Sequence, residues 1–144
     1  MTTLESVRWL ELPSVEDERG FLTAIENGRD VPFDIKRLFY IHHIQAPRGG
    51  HAHRDTDQVL IAVAGSFKTE LFDGRDTRSF LLEDPTRGLF IPRMTFVEMD
   101  EFSPGAVGLV LADTQYDAGR SLRSREQYLE AIEDRSATRD EVSS

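Results

Sequence analysis

The histidines are the residues of this chain whose spacing most clearly suggests chemistry. All four lie between His42 and His53, and the last two form the sequence His51-Ala52-His53. In an extended strand, side chains two residues apart point to one face, with Cα atoms about 6.6–6.8 Å apart. His51 and His53 can therefore converge on one ligand, whereas the adjacent His42 and His43 must face opposite sides and are expected to be structural.

This spacing leaves three interpretations of the His51 and His53 pair open. Imidazole is a common ligand of transition metals. Its reference pKa near neutrality also suits it to accept and return a proton. Alternatively, both residues are ordinary members of a half-exposed sheet. The surrounding sequence has to decide among metal binding, acid–base chemistry and a structural role.

Short strands separated by turn residues are expected to position these histidines. Gln58–Ala64 is nearly all apolar, which is typical of a central strand buried on both faces. Apolar and polar residues alternate over 66–72, as on a half-solvated sheet. The segment 37–44 is rich in β-branched and aromatic residues, and the glycine-containing stretch 46–50 predicts a tight loop before His51.

The complete pattern predicts one all-β domain over residues 1–134, with about seven to nine strands. Further strands are expected at 21–26, 79–82, 88–91, 95–99 and Val107–Ala112. Helix-forming residues from 121 to 134 predict one short C-terminal helix with an apolar side. Residues 135–144 are charged and small without apolar periodicity, and they are expected to form a flexible tail.

Composition limits the classes of partner. The formal net charge of -9 opposes binding to nucleic acid, because that affinity comes largely from Lys and Arg on phosphates. A small phosphate-bearing ligand needs only one or two local arginines and remains possible. With no cysteine, the chain has neither a disulfide framework nor a thiolate nucleophile. Its first residues resemble no signal peptide, and no apolar run approaches about 18 residues, so a cytoplasmic location without a membrane partner is expected.

The stretch Gly50-His51-Ala52-His53, followed by Gln58 and Gly65, resembles the first signature of the cupin superfamily. Residues 88–97, with Pro92, lie where the second signature would fall. This resemblance implies a small antiparallel β-barrel or jelly roll, which agrees with the strand pattern. It would normally also imply a metal held by three His and one Glu.

Two of those four ligand positions are changed in this chain. Gln58 stands at the glutamate position and Val97 at the third histidine position. A neutral amide is a poor substitute for a carboxylate, valine cannot ligate, and a catalytic site usually needs three protein ligands. We therefore expect neither a bound metal nor any other cofactor.

Within the cupins, the chain more closely resembles the sugar nucleotide 3,4-ketoisomerases, which act on thymidine-diphosphate-linked 4-keto-6-deoxyglucose. The resemblance covers about residues 15–132. Its most specific part is Arg48-Gly49-Gly50-His51-Ala52-His53, together with the Phe39-Tyr40-Ile41 strand. The matching stretches are 17–20, 32–41, 48–53, 65–67, 88–99 and 116–117.

This family resemblance implies roles for individual residues. The catalytic positions fall on Tyr40, Arg48, His51 and His53. Four further polar residues are expected to contact the substrate, and these are Arg19, Gln58, Arg93 and Glu98.

Two stretches depart from the family pattern. Phe96 stands where tryptophan is frequent, and residues 121–125 replace an acidic-aromatic approach to the last helix. We interpret the arginines of that region, at 120, 123 and 125, as surface residues.

The implied reaction moves a carbonyl from C-4 to C-3 through an enediolate. The C-3 proton is acidified by the adjacent carbonyl, and we expect His53 to remove it while His51 relays the proton or orients its neighbour. Tyr40 or Arg48 would stabilise the developing oxyanion, although Arg48 suits the diphosphate equally well.

Two other functions stay open at this point. One is a related sugar nucleotide epimerase, and the other is a cupin that binds a sugar or nucleotide without turnover. A homodimer is implied by the resemblance alone.

Overall fold

The computed structural model describes residues 3–143, with side chains described up to Arg135. The strands are, in chain order, β1 (Arg8–Glu11), β2 (Ser14–Asp17), β3 (Gly20–Thr23), β4 (Arg37–Ile41), β5 (Arg48–His53), β6 (Gln58–Ala64), β7 (Phe67–Phe72), β8 (Thr77–Leu82), β9 (Arg87–Ile91), β10 (Phe96–Asp100), β11 (Val107–Ala112) and β12 (Ser121–Leu122). One α-helix, α1, spans Arg125–Ser143, and single turns of 3-10 helix lie at Thr3–Ser6 and Ala118–Arg120.

The strands form two five-stranded antiparallel sheets and a separate hairpin. The first sheet has the order β1-β9-β6-β11-β4, and the second has the order β12-β5-β10-β7-β8. Within residues 3–143, strands β2 and β3 pair only with each other. Over the described residues the two sheets do not close into one barrel, and their arrangement is consistent with a jelly roll. The predicted all-β class with a C-terminal helix is confirmed.

The main core lies between the two sheets. Leu60 and Leu89 of the first sheet belong to the same buried cluster as Phe67 and Leu71 of the second. Strand β6 is buried over its first five residues, as its apolar run predicted, and it lies in the middle of its sheet. Burial of these side chains from both sheets holds the second sheet, which carries His51 and His53, against the first.

Helix α1 packs against the second sheet close to those histidines. Tyr128 is fully buried in a cluster with Ala52 and Phe96. Its hydroxyl donates a hydrogen bond to the Met94 carbonyl oxygen, at 2.8 Å. The buried Tyr128 ring and this hydrogen bond together fix helix α1 to the loop between β9 and β10.

Several element boundaries differ from the sequence prediction. Strand β5 begins at Arg48, so part of the segment expected to be a loop is strand. Strands β1 and β2 were not predicted from the sequence. Strand β2 is exposed at all its residues, so no alternation of apolar and polar side chains marks it. Helix α1 begins at Arg125 and continues past Asp134 to Ser143, since no glycine or proline stops it there. The flexibility expected for residues 135–144 stays a prediction, and Ser144 lies outside the described residues.

None of the helical segments between residues 3 and 143 is both long enough and apolar enough to cross a lipid bilayer.

Candidate active site

Strand β5 places two imidazoles side by side on one face of the second sheet. His51 pairs with Val97 of β10, while His53 pairs with Ser121 of β12. Ala52, between them, is fully buried on the opposite face. The ring centroids of His51 and His53 are 5.1 Å apart, and the rings meet edge to face at 82°. The alternation predicted from the His-Ala-His sequence is therefore present.

Gly49 allows β5 to approach β10 closely enough for this arrangement. Its φ is +96°, and a Cβ at this position would lie 2.6 Å from the Val97 carbonyl oxygen. The register between β5 and β10 shifts between Val97 and Glu98, which is typical of a bulge. Only glycine combines this backbone angle with this contact. The glycine before the histidines is thus a geometric requirement of the site.

The histidines lie in a cavity of about 400 Å³. Four arginines line it, namely Arg37, Arg48, Arg120 and Arg123. The chain as a whole carries a formal net charge of -9, so this concentration of positive charge is local. Guanidinium groups bind phosphate oxygens with paired hydrogen bonds, and a cavity of this composition suits an anionic ligand.

Both ring nitrogens of His53 have protein neighbours. The Gln58 amide nitrogen lies 3.2 Å from Nε2, and the Ser121 hydroxyl lies 3.5 Å from Nδ1. If Gln58 donates to Nε2, the ring is neutral and carries its proton on Nδ1. For His51, the backbone of Gly49 supplies the hydrogen-bond partner. In the described part of the chain, no other hydrogen bond to the His51 ring is formed.

The surroundings keep the two imidazoles uncharged. Burial lowers the pKa of His53 from 6.5 to about 4, with further lowering by the charges of His51 and Arg37. Burial also lowers the pKa of His51, and Arg123 and Arg48 act in the same direction. A neutral imidazole has a lone pair that can accept a proton. The pair is therefore in its basic form at neutral pH.

The structure brings together four of the eight site residues predicted from the sequence. Arg48, His51, His53 and Gln58 all line the cavity. Gln58 is buried, and its amide meets His53.

Tyr40 lies away from the histidine cavity, and the catalytic role expected for it stays a prediction. Its side chain is 60% exposed and does not line the cavity. Strand alternation explains the difference, because Arg37 and Phe39 point from β4 to the cavity side, and Tyr40 must point the other way. On the cavity side, β4 presents the ring of Phe39.

The remaining three predicted contacts also lie outside the cavity. Arg19 is at the tip of the β2–β3 hairpin, where its exposed guanidinium pairs with Asp17. Glu98 faces Arg125, at 3.4 Å, since it lies on β10 one residue beyond the bulge. In the fold described here, neither side chain reaches the histidines.

Arg93 lies between two carboxylates beside the cavity, and its expected contact with the substrate stays a prediction. Its guanidinium lies 3.1 Å from Asp57 and 3.1 Å from Asp113. These carboxylates precede Gln58 and the cavity-lining residue Thr114. The arginine thus ties together two segments that form the cavity wall.

Several residues that line the cavity were not predicted from the sequence. Arg120 and Arg123 were interpreted as surface residues, yet both line the cavity together with Ser121. They do so because β12 pairs with β5, a contact between distant parts of the chain that no local pattern indicates. For Arg37, the strand alternation of residues 37–41 could have provided the signal.

Among the described residues, no group of three or more His, Cys, Asp or Glu is arranged to hold a metal ion. Gln58 and Val97 both lie beside the histidine pair, as their positions in the cupin signatures predicted. The absence of a metal requirement stays a prediction.

Comparisons with known proteins agree with this geometry. The sequence profile of the FdtA family, described as WxcM-like, C-terminal, matches residues 5–133. A TDP-4-oxo-6-deoxy-alpha-D-glucose-3,4-oxoisomerase from Aneurinibacillus thermoaerophilus is 35% identical over 125 residues, which are 85% of this chain and 90% of that protein.

Two solved structures of one protein are also similar. QdtA, a sugar 3,4-ketoisomerase from Thermoanaerobacterium thermosaccharolyticum, was crystallised with TDP, and it matches with 36% identity and a TM-score of 0.87 over 92% of this chain and 98% of its own. A mutant of QdtA in complex with TDP-4-keto-6-deoxyglucose matches with 36% identity and a TM-score of 0.86 over 90% of this chain and 95% of its own. The resemblance predicted from the sequence is confirmed, and the chain belongs to the FdtA family of WxcM-like, C-terminal domains.

Proposed function

We propose that this chain is a sugar nucleotide 3,4-ketoisomerase, which converts a TDP-linked 4-keto-6-deoxyhexose into the 3-keto-6-deoxyhexose. The observation that carries the proposal is the pair of neutral imidazoles, His51 and His53, inside an arginine-lined cavity. Relatives named as 3,4-ketoisomerases, and their complexes with TDP and TDP-4-keto-6-deoxyglucose, support the substrate class.

The reaction needs proton transfer and no external redox partner. A base removes the proton from C-3, and the electrons of that bond form the double bond of an enediolate between C-3 and C-4. The oxygen at C-4 gains a proton, the oxygen at C-3 loses one, and a proton is added to C-4. Oxidation at C-3 balances reduction at C-4, so the substrate and product are isomers.

The contacts of the two imidazoles favour His51 as the base. The sequence interpretation gave this role to His53, but Gln58 and Ser121 lie against both nitrogens of that ring. Among the described residues the His51 ring has a single hydrogen-bond partner, the Gly49 backbone, and its second nitrogen would be the one to meet a ligand in the cavity. We therefore propose that His51 moves the proton between the two carbons while His53 orients it. One positioned acid–base group typically accelerates a reaction by about 10²- to 10⁴-fold.

The arginines supply the charge that the substrate and intermediate require. Arg48 and Arg123 both lower the pKa of His51 through their charges, which places them near the base. A guanidinium there would stabilise the enediolate oxygen as negative charge develops. The other cavity arginines, Arg37 and Arg120, would meet the diphosphate, with Arg120 exchanging part of its ion pairing to Asp55 and Asp117 for the ligand.

We also propose that the chain forms a homodimer through the β2–β3 hairpin. Val15, Phe21 and Leu22 expose large apolar side chains on this hairpin. Beside it, Leu12, Ile61 and other apolar residues line a groove of about 660 Å³. An isolated two-stranded hairpin is marginal in water, and a second copy would bury these surfaces. Light scattering on Leu22→Glu should report a lower mass than the wild type. A cytoplasmic location likewise stays a prediction.

Product analysis tests the proposed activity. The chain is incubated with TDP-4-keto-6-deoxyglucose in deuterated water, and the sugar is examined by nuclear magnetic resonance. A ketoisomerase gives a carbonyl at C-3 with solvent deuterium at C-4. Retention of the C-4 carbonyl with deuterium at a neighbouring carbon would indicate an epimerase instead. An unchanged spectrum despite tight TDP binding would indicate a cupin that only binds the nucleotide.

The same assay tests the metal prediction. Activity is expected to survive incubation with a chelator. If chelation abolishes the activity and iron, nickel or zinc restores it, the argument from the ligand positions is wrong.

A further inference from the structure

Arg93 joins two aspartates beside the histidine cavity. Its Nε lies 3.1 Å from Oδ1 of Asp57, and its Nη2 lies 3.1 Å from Oδ2 of Asp113. The backbone N–H of Asp57 also donates to Oδ1 of Asp113, at 2.9 Å. The two aspartate side chains are only 24% and 14% exposed. A planar guanidinium that bonds two shielded carboxylates at once fixes their separation.

Without this guanidinium the two carboxylates would repel each other. Burial raises the pKa of Asp113, and the charge of Asp57 raises it as well, whereas the charge of Arg93 lowers it. The residues that follow the aspartates, Gln58 and Thr114, both line the cavity. Loss of the cation would therefore push apart two segments of the cavity wall.

One of these segments carries the contact that orients His53. Gln58 is the first residue of β6, and its amide nitrogen lies 3.2 Å from Nε2 of His53. Asp57, directly before it, accepts hydrogen bonds from the Arg93 backbone N–H at 2.8 Å and from Nε at 3.1 Å. The place of Gln58 is thus set by the residue that Arg93 holds.

The loop that carries Arg93 also holds the backbone of His53. Met94, its direct neighbour, donates its N–H to the His53 carbonyl oxygen at 2.8 Å. Met94 has a φ of +60°, a strained angle for a residue other than glycine, which persists only where the surroundings impose it. In the described part of the chain, Arg93 itself does not line the cavity. Any effect of Arg93 on the reaction is therefore expected to pass through its neighbours.

We propose that Arg93 is a positioning residue, which holds Gln58 against the ring of His53. The inference rests on the proposed function, in which His53 orients the base His51. A misplacement of about 1 Å at an active site can cost on the order of 10²-fold in rate. Arg93 accordingly serves the proton transfer without a contact to the substrate.

Steady-state kinetics separate positioning from substrate binding. The values of kcat, KM and the dissociation constant for TDP are measured for the wild type, Arg93→Gln and Arg93→Lys. In Arg93→Gln, kcat should fall by roughly ten- to a hundred-fold, while TDP affinity stays near that of the wild type. Arg93→Lys keeps the charge but has no planar fork for two carboxylates, so its kcat should lie between the other two.

Arg87→Gln is the matched control. Arg87 begins β9 and pairs with Glu11 at 2.9 Å, and among the described residues it does not line the cavity. The control also removes an arginine from an ion pair, and it is expected to keep the wild-type kcat.

The tautomer of His53 gives a readout that needs no substrate. With Gln58 donating to Nε2, the ring carries its proton on Nδ1, and proton–nitrogen correlation spectra of the imidazole distinguish the two tautomers. One tautomer is expected in the wild type and a mixture in Arg93→Gln. A residue that only stabilises the fold would lower the melting temperature and leave the tautomer of the folded protein unchanged.

An unchanged His53 tautomer in Arg93→Gln would overturn the positioning role, and so would a wild-type kcat. A loss of TDP affinity at unchanged kcat would instead assign Arg93 to the substrate contact that the family resemblance implies. If Arg93→Gln does not fold, as judged by circular dichroism, the same measurements on Arg93→Lys decide. A wild-type chain that fails to isomerise the keto-sugar contradicts the proposed function, and the tautomer spectra still test the hold on His53.

Discussion

The amide nitrogen of Gln58 lies 3.2 Å from Nε2 of His53, at the position where a metal-binding cupin would supply a carboxylate. An amide can share a hydrogen bond with a neutral imidazole, and it brings no negative charge that would stabilise the protonated ring. Burial can therefore lower the pKa of His53 to about 4 without opposition from this neighbour. Because Gln58 is uncharged, it does not favour protonation of the neighbouring imidazole, and His51 and His53 stay in their basic forms.

The pH dependence of the wild-type enzyme should follow from these lowered values. His51 accepts the proton only as a neutral imidazole, and His53 orients it in the same uncharged form. The value of kcat/KM should therefore stay constant as the pH falls through 6.5 and decline only at lower pH. A bound diphosphate favours the protonated rings, so the acid limb of kcat should lie at higher pH than that of kcat/KM. A decline of kcat/KM centred at 6.5 would show that burial does not control these groups.

Gln58→Glu should raise the pKa of His53. The new carboxylate would lie beside the ring and favour its protonated form. Titration of the imidazole resonances by nuclear magnetic resonance measures the change directly, and the acid limb of kcat/KM should move to higher pH with it. Equal titration curves for the variant and the wild type would contradict the assigned contact.

Tyr40→Phe should leave the rate unchanged. The Tyr40 side chain lies outside the cavity, whereas that of the adjacent Phe39 lines it. Steady-state assays are expected to give a raised KM for Phe39→Ala and normal constants for Tyr40→Phe. A loss of ten-fold or more in Tyr40→Phe would instead support the catalytic role that the family resemblance implies.

Gly49→Ala should destabilise the chain more than Gly50→Ala. Both glycines have positive φ, but only at Gly49 would a Cβ meet a backbone atom, the Val97 carbonyl oxygen at 2.6 Å. Backbone strain of this kind costs about 1–3 kcal/mol, and the clash at Gly49 adds to it. Urea unfolding monitored by circular dichroism measures both variants. Equal midpoints for the two would contradict the close approach of β5 and β10.

Much of the fold followed from local patterns. The nearly all-apolar run of β6 predicted a central strand, and the alternation over 66–72 predicted the half-buried β7. Helix-forming residues around Tyr128 predicted α1, although not its extension beyond Asp134. These predictions succeeded because the burial of each residue is set by the periodicity of its own strand or helix.

The site was less predictable, because it depends on pairing between distant segments. The His-x-His spacing was sufficient to predict that the His51 and His53 side chains lie together, since both residues belong to one strand. The cavity positions of Arg120 and Arg123 arise from the pairing of β12 with β5, and nothing within residues 118–125 indicates it. Tyr40, a position taken from the family resemblance, lies one residue along β4 from the cavity-lining Phe39, and a step of one residue moves a side chain to the other face of a strand.

Substitution of each histidine separately tests the central claim most directly. Deuterium incorporation and carbonyl migration are measured by nuclear magnetic resonance for His51→Asn and His53→Asn, and TDP affinity is measured for the same proteins. We expect His51→Asn to lose at least about 10²-fold in both rates, because the removed group carries the proton. TDP affinity should stay near that of the wild type, because the arginines that line the cavity remain. A His51→Asn variant that binds TDP normally and isomerises the sugar at the wild-type rate would contradict the account.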